Sequence, residues 1–292
     1  MKGGWVMESI MTDIAIIGGG PAGLSAAVNA SARGKSTRIF STKNNYLERA
    51  TRVDNYLGME SVSGAAMMES FRHHVKSLGI SLEMGQIITI LPVSDYFMLN
   101  FNGAIVQSKT VILAIGAAKQ KSLPGEEQFL GQGVSYCATC DGMMYRGKKA
   151  IVYGLSDEAV SEANHLQEIG VNVTFISGKQ RPAALASDVQ FISGAVTAIM
   201  GENIVQSVNV NATSIETNVV FILRNVIAPT VLCKGLSIKD GFLAVNRDME
   251  TNIPGIFACG DCSGKPLQIA KAVGEGLIAA QQASKYIDDQ KK

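Results

Sequence analysis

Short apolar runs alternate with amphipathic stretches along most of this chain, and turn-forming residues separate them. The apolar run at 13–17 and the segment 36–40 each predict a strand, because both are short and bounded by turn residues. The stretch between them, 24–33, predicts a helix. This order of strand, turn, helix and strand is typical of a nucleotide-binding unit.

The same order returns in the second half of the chain. Strands are predicted at 149–153 and 172–176, with a helix at 158–169 between them. The two units begin about half the chain apart. The pattern therefore predicts an α/β protein with two nucleotide-binding, Rossmann-like domains, the second inserted in the first.

The segment 119–131 is polar and rich in turn residues, and we interpret it as the first crossing between the domains. We expect a discontinuous first domain at 1–119 and 244–292, and an inserted domain at 120–243. Further elements are predicted from their apolar pattern: a helix at 65–78, strands near 86–90, 96–101, 110–114, 242–246 and 256–258, and a final helix at 268–288.

Composition narrows the class of protein. Apolar residues make up 47% of the 292 residues, charged residues 17%, and the net charge is +1. This balance gives no basis for binding nucleic acid or an anionic membrane. No apolar run reaches the length of a membrane span, and the first residues lack the apolar core of a signal peptide. We expect a soluble, cytoplasmic protein.

A glycine-rich turn, Gly18-x-Gly20-x-x-Gly23, follows the first strand and opens the first helix. Gly18 permits a tight turn, Gly20 lets the backbone approach a pyrophosphate, and Gly23 lets helix and strand pack closely. The acidic residue that usually binds the ribose at the end of the second strand is absent. Ser41 stands there, and we expect it to contact the ribose.

Two cysteines, Cys137 and Cys140, are separated by two residues and followed by Asp141. This spacing brings two thiols within disulfide reach across one turn, and such pairs cycle between dithiol and disulfide. Asp141 is placed to carry the proton that thiolate chemistry requires. Taken alone, the spacing leaves two alternatives open: half of a zinc site, or two unrelated buried thiols.

Several motifs together resemble the low-molecular-weight thioredoxin reductase family, in the same order and from about residue 12 to 287. They are Gly18 to Gly23, Asp54-Asn55-Tyr56-Leu57-Gly58, Leu123-Pro124-Gly125-Glu126-Glu127, Cys137-Ala138-Thr139-Cys140-Asp141-Gly142 and Gly260-Asp261.

The resemblance implies FAD in the first domain, with the glycine turn on its pyrophosphate, Asn55 near the isoalloxazine ring and Asp261 on the ribityl chain. In the family a Gly-Gln pair precedes the flavin loop, whereas Asn45-Tyr46 stands here, so Tyr46 is expected to stack on the flavin or shield it. The other residues assigned to the cofactor by resemblance are Gly19, Pro21, Ala22, Thr51, Gly116, Gly260, Gln268, Ile269 and Ala270.

For the thiols, the resemblance implies that Cys140 faces the flavin and that Cys137 reacts with the disulfide of thioredoxin. It implies that Asp141 is the general acid and base. It also implies a homodimer.

The second glycine turn departs from the family pattern. It reads Gly154-Leu155-Ser156 where the family has Gly-x-Gly and binds NADPH. A side chain at Ser156 keeps the backbone away from a pyrophosphate. The paired arginines that hold the 2′-phosphate are missing, and Lys179 and Arg181 are the only nearby substitutes before Pro182. We expect NADPH binding to be lost.

The enzyme then needs another electron donor, and the chain resembles ferredoxin-dependent flavin thioredoxin reductases in this respect. Our hypothesis is a flavin-dependent disulfide reductase that passes electrons from ferredoxin to thioredoxin, with Arg49 and Arg52 available to contact an acidic donor.

The alternatives are an NADPH-dependent thioredoxin reductase with an atypical pocket, a flavin-binding redox sensor without turnover, and a dithiol oxidase. A zinc site built from Cys259, Cys262 and the first pair is a weak further alternative, and no metal is expected.

Overall fold

The computed structural model describes most of the chain, in five ranges: 11–42, 45–116, 122–156, 158–224 and 227–290. The chain forms two compact units, one of 1–119 with 232–292 and one of 120–231. The returning segment thus joins the first unit at 232 rather than at 244. The first residues of the predicted crossing, 119–121, lie outside the described ranges.

The first segment of the chain supplies most of the first unit. Its elements are β1 (Thr12–Ile17), α1 (Pro21–Ser31), β2 (Thr37–Ser41), α2 (Gly64–Ser77), β3 (Ser81–Met84), β4 (Ile87–Val93), β5 (Tyr96–Phe101) and β6 (Ala104–Leu113).

The second unit follows with β7 (Val134–Ser135), α3 (Ala138–Asp141), β8 (Lys149–Gly154), α4 (Ala159–Glu168), β9 (Asn172–Ser177), β10 (Gln190–Ser193), β11 (Val196–Gly201), β12 (Val205–Val210), β13 (Thr213–Glu216) and β14 (Val219–Leu223). The chain then continues through α5 (Pro229–Leu232), β15 (Ile238–Lys239), β16 (Phe242–Leu243), β17 (Ile256–Ala258) and α6 (Ile269–Asp289).

The main sheet of the first unit has the strand order β3-β2-β1-β6-β5-β4, with β17 also paired to β6. Strand β1 runs parallel to β2 and β6, in a register that sets Ile16 beside Ile39 and Ile112. All three side chains are fully buried, because helices cover this central part of the sheet. The carboxyl ends of the parallel strands therefore meet at one edge, where ligands bind in such folds.

Helices α1 and α6 cross with their backbones close together. Alanines and glycines form the buried face of both helices, and a Cβ added at Gly276 would lie 2.2 Å from the backbone oxygen of Ala22. The Ser25 hydroxyl donates to the carbonyl of Val273 across the same contact, at 2.7 Å. Small residues on α6 thus fix the position of the first turn of α1.

The second unit is built on a parallel sheet of order β10-β9-β8-β14-β7, beside a small antiparallel sheet of β11, β12 and β13. Its strands are rich in β-branched and aromatic residues, and β14 is buried at every position. Helix α4 packs its buried residues against this sheet. The predicted α/β class with Rossmann-like units is confirmed.

Some elements differ from those predicted. Helix α1 begins at Pro21 rather than at 24, since a proline is well suited to the first helical position. Strands β3 and β7 were not predicted, because their sequences are short and, in β3, partly exposed. The strand predicted at 242–246 ends at Leu243. Among the described residues, no helix has both the length and the apolar character needed to cross a bilayer.

Gly276→Ala should destabilise the protein by about 1–3 kcal/mol, because the new methyl group would meet the backbone of Ala22. Gly274 on the same helix has open space around the position of an added Cβ, so Gly274→Ala is the matched control. It should be neutral or stabilising by about 0.5–1 kcal/mol through helix propensity. Thermal melts of both variants would test this, and equal melting temperatures would contradict it.

Candidate functional site

The glycine turn between β1 and α1 is shaped by backbone contacts that exclude side chains. Gly18 has φ +115°, and a Cβ there would lie 2.1 Å from the backbone oxygen of Ala114. A Cβ at Gly23 would lie 1.9 Å from the backbone oxygen of Gly18. Both positions therefore require glycine, as the sequence predicted for a close strand–turn–helix packing.

Gly20 faces open space instead. The nearest atom to a Cβ at this position is the side-chain amide nitrogen of Asn45, at 3.7 Å. Gly20 is also the N-cap of α1, and no side chain caps the helix there. The positive end of the helix is therefore open to an anionic group. These residues fit the pyrophosphate of a dinucleotide such as FAD.

Ser41 lies at the end of β2, beside this turn. Its hydroxyl oxygen accepts the amide hydrogen of Gly19 at 3.1 Å, and the hydroxyl donates to the carbonyl of Thr42 at 3.0 Å. Ser41 thus ties the glycine turn to the neighbouring strand. Its contact with a ribose stays a prediction.

Asp261 lies in a second turn of the same unit, directly after β17. Gly260, with φ +82°, is close enough to α1 that an added Cβ would lie 2.7 Å from the Cβ of Ala22. Burial raises the pKa of the Asp261 carboxyl, the Lys271 ammonium opposes this rise, and the Glu275 carboxylate adds to it. The structure thus brings Asp261 close to the helix that carries the glycine turn.

The remaining predicted cofactor residues also lie in this unit. The side-chain amide nitrogen of Asn55 donates to the side-chain oxygen of Gln268 at 2.9 Å. Two residues that were predicted to contact the flavin are therefore bonded to each other. Tyr46 is 74% exposed, with the guanidinium of Arg49 5.3 Å from its ring centre. The other positions are exposed or half-buried: Gly116, Thr51, Ile269 and Ala270.

The disulfide in the second unit joins Cys137 and Cys140, whose Cα atoms are 5.3 Å apart. Cys137 is the N-cap of helix α3 and Cys140 lies within the helix, and the amide of Cys140 donates to the sulfur of Cys137 at 3.1 Å. Cys137 is buried, and Cys140 is partly exposed. A bonded pair on one helical turn is an arrangement that can be opened by a reductant and closed again.

Ser135 connects this disulfide to Asp141. Its hydroxyl donates to Oδ2 of Asp141 at 2.7 Å and its oxygen accepts the amide of Cys137 at 3.1 Å. Sequence reasoning did not assign Ser135 a role, although it directly precedes the cysteine motif. Because the hydroxyl fixes one oxygen of the carboxylate, it orients the group that was predicted to move protons.

A buried ionic cluster lies next to the disulfide and was also missed. Glu126 and Arg224 form an ion pair whose side chains are 0% and 2% exposed. The hydroxyl of Tyr136 donates to the other oxygen of Glu126 at 2.7 Å. Burial and the nearby Glu126 carboxylate raise the pKa of Tyr136, so it remains a neutral donor. The cluster anchors the residue that precedes Cys137.

Glu162 approaches the disulfide from helix α4. One carboxylate oxygen accepts the amide hydrogen of Ala138 at 3.1 Å, at the start of α3. Burial raises the pKa of Glu162, and the amide of Ala138 partly offsets this effect. Tight packing supports the contact, since a Cβ added at Gly142 would lie 2.6 Å from the side chain of Leu166.

The second glycine turn differs from the first at its middle position, where Ser156 stands in place of Gly20. Gly154 itself resembles Gly18, because the space that a Cβ would occupy is closed, here by the ring of Phe175 at 2.2 Å. Helix α4 has an acidic N-cap, the exposed Glu158. A carboxylate at this position repels phosphate groups at the end of a helix that would otherwise attract them.

Arg181 does not offer a free guanidinium for a 2′-phosphate. Its two terminal nitrogens donate to the carbonyls of Val189 and Ala186, at 3.0 and 2.6 Å. The arginine thereby closes the loop that begins at Pro182, and this engages two of its nitrogens with the backbone. Its role as a substitute for the family's arginines stays a prediction. Lys179 is exposed beside β9.

The second cysteine pair lies in the first unit and is reduced. Cys259 and Cys262 are both buried, and burial raises the pKa of Cys262 to about 12. The thiol of Cys262 donates to the carbonyls of Leu113 and Cys259. In the part of the chain that the structure describes, no three His, Cys, Asp or Glu side chains are grouped to hold a metal ion.

Comparison with known proteins places these features in context. Residues 12–276 match the pyridine nucleotide-disulphide oxidoreductase family. A thioredoxin reductase of Bacillus subtilis is 32% identical, over 97% of this chain and 96% of its own length. Among solved structures, a ferredoxin-flavin thioredoxin reductase from Clostridium acetobutylicum is 38% identical with a TM-score of 0.88, covering 96% of this chain and 99% of its own.

A thioredoxin reductase from Gloeobacter violaceus is also similar in structure. It has a TM-score of 0.79 and 30% identity, and the match covers 99% of this chain and 98% of the neighbour. The likeness therefore extends over both units and not over one nucleotide fold alone.

Ser135→Ala should slow the opening of the Cys137–Cys140 disulfide by dithiothreitol about tenfold, because an unfixed Asp141 carboxyl transfers protons less efficiently. The rate can be followed by thiol alkylation and mass spectrometry. Ser122→Ala is the control, since it removes a hydroxyl bonded to Glu127 in the same unit. Equal rates for the two variants, at equal melting temperature, would show that Ser135 does not act through Asp141.

Proposed function

The chain belongs to the pyridine nucleotide-disulphide oxidoreductase family as a thioredoxin reductase homologue, whose relatives are FAD flavoproteins, and on this basis we propose a specific electron route. Reduced ferredoxin would be the source of electrons and thioredoxin their acceptor. The first unit would hold FAD, which would supply the electron-transfer chemistry between the donor and the Cys137–Cys140 disulfide.

One contrast carries this proposal: of the two glycine turns, the first fits a dinucleotide and the second does not. Gly20 opens onto free space at an uncapped helix end. The equivalent helix of the second unit begins with Glu158, and Arg181 is bound to backbone carbonyls. A protein that holds FAD but rejects NADPH needs another donor of electrons, and a small redox protein can serve as one. The likeness to a ferredoxin-flavin thioredoxin reductase supports ferredoxin as that donor.

The electron balance is simple. FAD, when bound, accepts electrons singly and delivers them in pairs. Two reduced ferredoxins therefore supply the two electrons that, with two protons from water, convert one disulfide to two thiols. The residues proposed to hold the cofactor are the glycine turn, Asn55 and Asp261.

The thiols then transfer the electrons by exchange. The thiolate of Cys137 attacks a sulfur of the thioredoxin disulfide and forms a mixed disulfide, releasing one thioredoxin thiolate. The thiolate of Cys140 attacks Cys137, which releases the second thioredoxin thiolate and restores the original disulfide. Asp141, oriented by Ser135, supplies protons to the leaving thiolates. Because Cys137 is buried when oxidised, its attack requires a change of conformation after reduction.

Further aspects of the proposal rest on the family. We propose a homodimer that acts in the cytoplasm. Arg49 and Arg52 are exposed and available to an acidic ferredoxin, although Arg52 is paired with Asp54 at 2.8 Å.

The roles of the two thiols can be separated by trapping. A thioredoxin with one active-site cysteine, carrying a thionitrobenzoate leaving group, should form a stable mixed disulfide with the Cys140→Ser variant. The Cys137→Ser variant should react at least about tenfold more slowly, because the attacking thiol is missing. Release of thionitrobenzoate and a non-reducing gel measure the reaction. Faster capture by Cys137→Ser would mean that the roles are exchanged.

The electron donor can be tested by anaerobic turnover with thioredoxin. NADPH should fail at micromolar concentrations, since each lost charge-assisted phosphate contact costs about 1.5–3 kcal/mol. Reduced ferredoxin should support turnover, at a rate that falls as salt rises. The control is dithionite, which should reduce the flavin directly. Efficient turnover with NADPH would overturn the ferredoxin proposal and favour an ordinary NADPH-dependent reductase.

A further inference from the structure

The turn that carries Asp261 is held by two side chains of α6. We define the Asp261 turn as residues 260–264. The Nζ of Lys271 donates to the carbonyls of Gly260 and Gly264, at 2.8 and 2.6 Å. The carboxylate of Glu275 accepts the amide hydrogen of Gly260 at 2.9 Å. Both ends of the turn are therefore bound to the same helix.

The two side chains also bind each other. Lys271 and Glu275 form an ion pair at 3.0 Å, one helical turn apart. The hydroxyl of Ser263 lies between them, donating to Glu275 at 2.7 Å and accepting from Lys271 at 3.0 Å. Their side chains are only 16% and 17% exposed. An exposed ion pair on a protein surface contributes little to stability. This pair is largely buried and shares a hydroxyl group, so it holds the turn more firmly than an exposed pair would.

The opposite side of the turn rests on β6. The amide of Cys259 donates to the carbonyl of Leu113 at 2.9 Å, and the thiol of Cys262 donates to the same carbonyl at 3.3 Å. The Asp261 turn is thus fixed between strand β6 and the first turns of α6. Such support is expected where a side chain must hold one position for a ligand.

We propose that Lys271 is a positioning residue for FAD, which fixes the Asp261 turn together with Glu275 and places a positive charge beside that turn. This inference rests on the proposed FAD site and extends it to a residue that contacts the turn rather than the cofactor. A lysine here fixes three points of the turn at once, because its Nζ donates to Gly260, Ser263 and Gly264.

The positive charge of Lys271 also affects the pKa of Asp261, which a residue with a purely structural role would not do. Burial raises the pKa of Asp261, Lys271 opposes the rise, and Glu275 adds to it. Cys259 and Cys262 flank the carboxyl within its own segment, and burial raises their pKa values as well, so both remain neutral thiols. If the ionised carboxylate binds the cofactor, flavin is released as the pH falls through the pKa of Asp261. Without Lys271 that pKa rises further, and release begins at higher pH.

The test compares FAD binding by apoprotein of the wild type, Lys271→Met and Lys271→Arg. Lys285→Met is the matched control, an exposed lysine on the same helix. Lys271→Met should raise the Kd for FAD about 10- to 100-fold, because charge-assisted hydrogen bonds are lost. The midpoint of flavin release on acidification should move to higher pH than in the wild type. Lys271→Arg should restore much of both, and Lys285→Met should match the wild type.

The outcomes separate this inference from the proposed cofactor. If the wild type itself fails to bind FAD, the proposed function is wrong. If the wild type binds FAD and Lys271→Met behaves like Lys285→Met, the role of Lys271 is wrong. If Lys271→Met alters the Kd but not the pH midpoint, the positioning role by charge is overturned.

If Lys271→Met does not fold, a milder variant can test whether the contacts of Lys271 with the turn affect FAD binding. Ser263→Ala removes only the hydroxyl that Lys271 and Glu275 share. It should weaken FAD binding at least about threefold while the apoprotein still melts cooperatively, because the turn is held by fewer hydrogen bonds. Unchanged FAD affinity in this variant would overturn the inference.

Discussion

The first turn of helix α1 is the constraint on which the first unit depends, because three glycines bring other backbone segments against it. Gly23 lies against the backbone of Gly18, Gly276 against the carbonyl of Ala22, and Gly260 against the side chain of Ala22. Close approach fixes the glycine turn, the Asp261 turn and helix α6 in one arrangement. The positive helix end and the acidic turn therefore keep a constant separation, which a long ligand that contacts both requires.

The second unit repeats the order of strand, turn and helix, but the residues of its turn differ from those of the first unit. Ser156 stands where the first turn has Gly20, and Glu158 puts a negative charge at the helix end. Neither feature disturbs the parallel sheet, whose strands remain buried and in register. The fold of the unit is thus independent of the side chains at its glycine turn.

The sequence was sufficient for the fold class and for the close backbone packing at Gly18 and Gly23, because periodicity and glycine spacing report backbone geometry directly. It was not sufficient for contacts between residues far apart in the chain. Nothing local connects Glu126 with Arg224, or Glu162 with Ala138. The backbone contacts of Arg181 could not be predicted for a related reason, since a basic residue looks the same in sequence whether it faces solvent or backbone carbonyls. Strands as short as β7 carry too few residues to show a period.

The buried ion pair of Glu126 and Arg224 lies where the chain enters and leaves the second unit. Glu126 lies close after the point where the chain enters the second unit, and Arg224 close before the point where it leaves. The ion pair therefore joins the two ends of the inserted unit to each other. An insertion whose ends are tied together disturbs its host no more than a surface loop does, because the host only has to bridge a short gap. The buried charge pair thus adds a link between the two ends of a unit that has its own sheet and hydrophobic core.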